Sequence, residues 1–220
     1  MELKGKKINF LGDSITEGHG TSAPEKTFHG LLKQWAGLKE ARNYGKGGTK
    51  IARLPVITDN PFDQDFNLRA PDMDSDADVV VVFGGTNDFG HGTIALGEIS
   101  DRDIHTFYGA LHQLCLYLIK TYRDKEIVFM TPIHRLNEML DYNNRISQGI
   151  TTAKPLSDFV KAIREVCEFY SIPVLDLYKE SGMYGQVWAW CEKYMPDGLH
   201  PSDYGHEIIA RKLQKFLENL

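Results

Sequence analysis

Two stretches near opposite ends of this chain carry residue types that suit nucleophilic chemistry on a carbonyl. The apolar run Ile8 to Leu11 leads into Gly12-Asp13-Ser14-Ile15, which sets a hydroxyl where a first strand gives way to a turn. A serine there also serves as a plain helix cap, because its oxygen accepts from the free N–H groups of a first turn. Far downstream, Asp197-Gly198-Leu199-His200-Pro201 places an acid three positions before a histidine, with Pro201 holding His200 extended. One turn then presents both side chains. The carboxylate accepts from one ring nitrogen and fixes the tautomer, and the other nitrogen faces a serine as a base. Ser14 is thus the candidate nucleophile, His200 the general base and Asp197 the residue that orients it.

Attack on a carbonyl also requires donors for the oxyanion. The run Val79 to Phe83 ends in Gly84-Gly85-Thr86-Asn87-Asp88, where Asn87 offers a side-chain amide, although an asparagine there also suits a turn. A second strand candidate, Ala41 to Tyr44, leads into Gly45-Lys46-Gly47-Gly48, whose glycine N–H groups approach a ligand with no side chain in the way. Gly48 or a neighbouring glycine, Asn87 and the N–H of Ser14 make three donors.

Residues so far apart in sequence need a frame that gathers them. Short apolar runs alternate with amphipathic ones: strands over Ile8–Leu11, Ala41–Tyr44, Val79–Phe83, Ile127–Met130 and Pro173–Leu177. Helices are expected over Phe28–Leu38, Ile104–Tyr122, Leu156–Tyr170 and Tyr204–Leu220, the last capped by Ser202 or Asp203. Continuous Val and Ile strands separated by helices imply a parallel sheet covered on both faces, an α/β three-layer sandwich of about five strands. In such sheets ligands sit at the carboxyl ends of the strands. The stretches Thr49–Asp78, Ile133–Pro155 and Phe89–Asp103 read as long irregular rims of that end.

With 220 residues, 42% hydrophobic and 25% charged, the composition is that of one globular domain spanning 1–220. A net charge of −5 argues against nucleic acid as a partner. The longest apolar run, Val79 to Phe83, is far too short for a membrane span, and the first residues lack a secretion pattern, so a cytoplasmic location is expected. Three scattered cysteines fit a reducing compartment, with Cys115 and Cys167 read as core. The acidic run Asp72 to Asp78 lacks the turn glycine and terminal glutamate of a calcium loop, and no histidine pair has ligand spacing, so no metal or cofactor is expected. His91 and His134 stand where they can line a pocket; the other unassigned histidines are expected at the surface or in the core. Ser14-Ile15-Thr16-Glu17-Gly18 loosely matches a flavin phosphate loop, but Asp13 and Glu17 would oppose a phosphate.

The blocks Gly12-Asp13-Ser14, Asn43 with Gly48, Gly85-Thr86-Asn87-Asp88 and Asp197-Gly198-Leu199-His200 fall in the order of the SGNH hydrolases, also called GDSL esterases, which the chain resembles from its first strand to its last helix. The resemblance implies a flavodoxin-like α/β/α fold, Ser14, Asp197 and His200 as the catalytic triad, Gly48 and Asn87 completing the oxyanion hole, and a small-molecule ester as substrate. The second glycine of the G-x-S-x-G elbow is replaced by Thr16, which separates the chain from the α/β-hydrolases. Trp188, Trp190, Tyr194, Phe62, Phe66 and Phe89 stand in or near the predicted rims. Aromatic faces among polar groups suit a sugar ring, while packing of the loops onto the core is the stronger expectation for Trp188 and Trp190. A small-acyl esterase acting on a carbohydrate is the favoured reading, with a lysophospholipase or thioesterase as the alternative.

Overall fold

The computed structural model describes residues 1–56, 58–91, 94–150 and 153–220. Five parallel strands, β1 (Lys7–Gly12), β2 (Glu40–Gly45), β3 (Val79–Phe83), β4 (Glu126–Met130) and β5 (Val174–Leu175), form one sheet in the order β2-β1-β3-β4-β5. This is a doubly wound order whose direction reverses between β1 and β3. Ten helices accompany it among the described residues: α1 (Ser14–Glu17), α2 (Phe28–Ala36), α3 (Phe66–Arg69), α4 (Thr86–Gly90), α5 (Phe107–Thr121), α6 (Glu138–Ser147), α7 (Leu156–Phe169), α8 (Leu177–Glu180), α9 (Trp188–Tyr194) and α10 (Asp203–Glu218).

The period of two along each strand divides the core. Ile8, Phe10, Val79, Val81, Val128 and Met130 pack with residues of α2 and α10, whereas Leu11, Val80, Val82, Ile127 and Phe129 pack with α3, α5 and α7. Every side chain of β3 is buried, as β-branched residues with cover on both faces require. Helix α7 meets the sheet through Phe159, Ile163, Val166 and Cys167, at the helical spacing of one apolar stripe. Cys115 and Cys167 are both buried in the core. No described helix is long and apolar enough to cross a membrane.

Several boundaries differ from the sequence expectation for identifiable reasons. The helix expected from Ile104 starts at Phe107, because Thr106 Oγ1 caps it by accepting from Gly109 N. The strand expected over Pro173–Leu177 is cut to Val174–Leu175, because Asp176 accepts from Lys179 N and starts α8. The stretch read as irregular over Ile133–Pro155 holds the ten-residue α6, whose only buried residue is Glu138; a helix so polar shows no apolar stripe. Likewise α3 lies within Thr49–Asp78 and α9 precedes the Asp197 turn. The acidic run is tied down by cations, with Asp76 paired to both Lys7 and Arg42.

Candidate active site

The carboxyl end of β1 is too tight for anything but glycine. A Cβ on Gly12 would fall 2.0 Å from Thr16 Oγ1 and 2.9 Å from the Phe83 carbonyl, so α1 folds back directly over the strand it follows. Asp13 is the residue that caps α1, its carboxylate accepting from Ile15 N at 3.0 Å. Ser14 is therefore not the cap. It is the first helical residue, 5% exposed, with its backbone N–H accepted by no described residue. Burial pushes the Asp13 carboxyl up to about 7, with Asp88 adding to the rise and the Ile15 N–H and Arg69 opposing it.

The turn after α9 brings the other two chain-end candidates to Ser14. Asp197 Oδ1 accepts from Leu199 N at 2.9 Å and His200 N at 2.7 Å, while its Oδ2 lies 2.6 Å from His200 Nδ1. A carboxylate only accepts, so Nδ1 carries the ring hydrogen and Nε2 is left with its lone pair. That Nε2 lies 2.9 Å from Ser14 Oγ, across 186 positions of sequence. Burial alone would raise the Asp197 carboxyl, and the hydrogen bonds from His200 and Leu199 more than offset it, holding the group below the ordinary carboxylate range. The turn is anchored by the segment between β4 and α6, where Leu136 N donates to the Gly198 carbonyl at 2.8 Å.

Among the three glycines after β2, the hydrogen bonds single out one. Gly45 N donates to Asn43 Oδ1 at 2.8 Å and Gly47 N to Glu17 Oε2 at 2.7 Å. Gly48, at φ +71°, has an N–H that no described residue accepts. Asn87, on α4, donates one amide hydrogen to the Thr49 carbonyl at 3.0 Å, which orients the second toward the cleft it lines beside Ser14 and Gly48.

The loop bearing Gly48 is held by two buried ionisable groups that the sequence reading passed over. Arg69 Nη1 donates to the Gly12 carbonyl at 3.1 Å and to Thr49 Oγ1 at 2.8 Å, and Nη2 donates to the Tyr44 carbonyl, so one guanidinium ties together the ends of β1, β2 and the Gly48 loop. Asp88 accepts from Ile51 N at 3.0 Å and Ala52 N at 2.9 Å, although burial raises its carboxyl to about 6.

Ser14, Gly48, Asn87 and His200 line one cleft of about 330 Å³, with Asp197 behind His200. The rest of its wall is His19, Gly47, Phe62, His91 and Leu199. His91 thus lines the cleft as its position suggested; its imidazole titrates below the ordinary value because of burial and then the nearby Lys50, Arg135 and Arg145 cations. His134 does not. It sits 3.0 Å from Glu138 Oε1 and lines a separate cavity with Tyr178. His19, expected to be surface or packing, faces the cleft, its Nε2 3.2 Å from Glu17 Oε2. Of the rim phenylalanines only Phe62 reaches the site, since Phe66 and Phe89 are core residues. Trp188 and Trp190, expected to be packed, are half exposed.

Comparison with known proteins matches residues 10–208 to the GDSL-like Lipase/Acylhydrolase family. None of the curated proteins matches. Among solved structures, a protein from Lactobacillus plantarum superposes with a TM-score of 0.82 at 32% identity, covering 99% of this chain and 98% of the other. The lipase/acylhydrolase from Enterococcus faecalis gives 0.64 at 22% identity over 97% and 96%. The acetyl xylan esterase AlAXEase gives 0.64 at 20% identity over 96% and 99%; at these last two identities the likeness is one of fold.

Proposed function

The chain belongs to the GDSL-like Lipase/Acylhydrolase family and is an ester-bond hydrolase, and from that premise we propose that it hydrolyses a small-acyl carboxylic ester, a carbohydrate O-acetyl ester being the favoured substrate, through Ser14, His200 and Asp197. The observation that carries the catalytic reading is the continuous relay from Asp197 Oδ2 through His200 to Ser14 Oγ, at 2.6 and 2.9 Å.

In the first step Ser14 Oγ attacks the ester carbonyl and its proton passes to His200 Nε2, with Asp197 holding the imidazolium that forms. The oxyanion takes the N–H groups of Ser14 and Gly48 and the free amide hydrogen of Asn87. Collapse returns the proton from His200 to the leaving alcohol, leaving an acyl-serine. Water, deprotonated by His200, then releases the acid and restores Ser14.

The acyl preference rests on space. A cleft of about 330 Å³ stands at the low end of ligand sites, and its described lining continues into no long apolar channel. The carbohydrate preference draws on the half-exposed Phe62 beside imidazole donors and acceptors, and on the fold shared with an acetyl xylan esterase. A phosphate-loop reading of the β1 turn fares worse, since the Glu17 carboxylate already occupies the Gly47 N–H.

Turnover of p-nitrophenyl acetate by the wild type beside Ser14→Ala and His200→Ala tests the triad: both variants are expected at background, and variants that keep pace with wild type would overturn it. A series of esters of rising chain length tests the acyl reading, and a preference for long acyl chains would favour a lysophospholipase or thioesterase instead.

A further inference from the structure

Of the cleft wall that the proposed chemistry does not use, His19 stands beside His200 and Phe62 stands across Gly47 from His19. His200 Nε2 returns the proton to the leaving oxygen, so the alcohol lies within reach of that nitrogen. The His19 ring is 5.3 Å from the His200 ring. Gly47 joins His19 to Phe62: a Cβ built on Gly47 would lie 3.7 Å from His19 Nε2 and 3.8 Å from Phe62 Cε1. The imidazole and the phenyl ring thus flank the same glycine on the cleft wall.

Both side chains have neighbours behind them. His19 Nε2 lies 3.2 Å from Glu17 Oε2, and the same carboxylate oxygen accepts from Gly47 N at 2.7 Å. The second ring nitrogen of His19 is bonded to no described residue. Phe62 follows Asn60, whose Oδ1 accepts from Phe62 N at 3.0 Å, and its ring lies against Gly48, where an added Cβ would meet Phe62 Cβ at 3.0 Å. Despite this seating Phe62 remains 52% exposed, an apolar face turned to a wet cleft. The cleft lining carries no carboxylate, lysine or arginine among the described residues, so it suits a neutral alcohol.

We propose that Phe62 and His19 form the alcohol subsite, the ring of a neutral, hydroxylated alcohol such as a sugar lying on the Phe62 face while one of its hydroxyls hydrogen-bonds the free nitrogen of His19. The proposal rests on the ester-hydrolase reading above and names the part of the same site that selects the alcohol. A hydroxyl both donates and accepts, so it satisfies His19 whichever way that nitrogen is protonated. A plain alkyl alcohol offers neither a ring to stack nor a hydroxyl to bond.

The test compares kcat/KM for an O-acetylated methyl glycoside with kcat/KM for ethyl acetate, in the wild type, Phe62→Ala, Phe62→Tyr and His19→Ala. Because both esters share the acetyl group and the triad, any general damage to catalysis or folding cancels in the ratio. The wild-type ratio is expected well above one; Phe62→Ala and His19→Ala are each expected to lower it by roughly three- to tenfold, mainly through KM for the glycoside, and Phe62→Tyr to retain it. A ratio unchanged in both alanine variants, or a wild type that prefers ethyl acetate, overturns the subsite while leaving the hydrolase reading intact. A wild type inert toward both esters and p-nitrophenyl acetate overturns the two together.

Discussion

Asn87 and Thr49 share a hydrogen bond of 3.0 Å in which the side-chain amide donates to the backbone carbonyl, so that half of the amide is committed to the protein and half is left for a ligand. The same Thr49 is gripped through its hydroxyl by Arg69 at 2.8 Å. The proposed oxyanion donors are thus set in place before substrate arrives, which is the condition under which such donors lower a barrier.

Asn87→Ala removes the free donor and the tether together. The expected loss is on the order of a hundredfold to a thousandfold in kcat with little change in KM. Steady-state kinetics on p-nitrophenyl acetate decide it, and a kcat near that of wild type would remove Asn87 from the oxyanion hole.

Arg69→Met leaves the Gly12 and Tyr44 carbonyls and the Thr49 hydroxyl without their buried donor. Stability is expected to fall on the order of 3 kcal/mol by urea unfolding, and kcat by roughly tenfold to a hundredfold as the Gly48 loop loses its register against Ser14. A kcat within about twofold of wild type would show that the loop keeps its place without the guanidinium.

Gly48→Ala tests backbone and space at once. The residue lies at φ +71°, and an added Cβ would press on Phe62 Cβ at 3.0 Å. The left-handed conformation costs a side-chain-bearing residue roughly 1–2 kcal/mol, which thermal unfolding will register. Activity is expected to fall with it, because relief of either strain turns the N–H away from the cleft.

Burial works on four titratable groups with opposite signs. His29 and His206 are lowered to about 4 from 6.5, while Asp13 is raised to about 7 and Asp88 to about 6 from 3.8. As pH falls from 6.5 to 4 the unfolded chain takes up protons on imidazoles that the fold keeps neutral, so the histidines cost stability on acidification. The two raised carboxyls bind protons more tightly in the fold, so their contribution is lost as pH rises toward 7. The four largely cancel between pH 4 and 6.5. Asp13→Asn keeps the cap but cannot ionise, and relative to wild type it is expected to gain on the order of 3 kcal/mol between pH 4 and pH 8. Urea unfolding at the two pH values measures this, and a difference that does not change with pH contradicts it.

What could be read from the chain beforehand was local. Ser14, Asn87 and the Asp197–His200 pair each sit at the end of a strand or in a turn whose residues lie within a few positions, and Val79 to Phe83 declares a doubly covered strand by composition alone. Arg69 and Asp88 carried no such signal, because their partners, Gly12, Tyr44, Ile51 and Ala52, are met only once the sheet has gathered its carboxyl ends. His19 was hidden for the same reason: only Glu17 at short range and His200 at long range show that it faces the cleft. The choice among Gly45, Gly47 and Gly48 needed the hydrogen bonds that occupy the first two. Helix α6 was missed because it turns a polar surface outward and buries little.

In the proposed mechanism Ser14 Oγ is a nucleophile activated by His200. Covalent labelling by an organophosphonofluoridate, followed by intact mass and peptide mapping, in the wild type, Ser14→Ala and His200→Ala, tests that activation. One adduct per chain on the peptide containing Ser14, formed in step with loss of esterase activity, absent in Ser14→Ala and strongly slowed in His200→Ala, is the expected result. An adduct on another residue, or full esterase activity in a protein that takes no label, would contradict it.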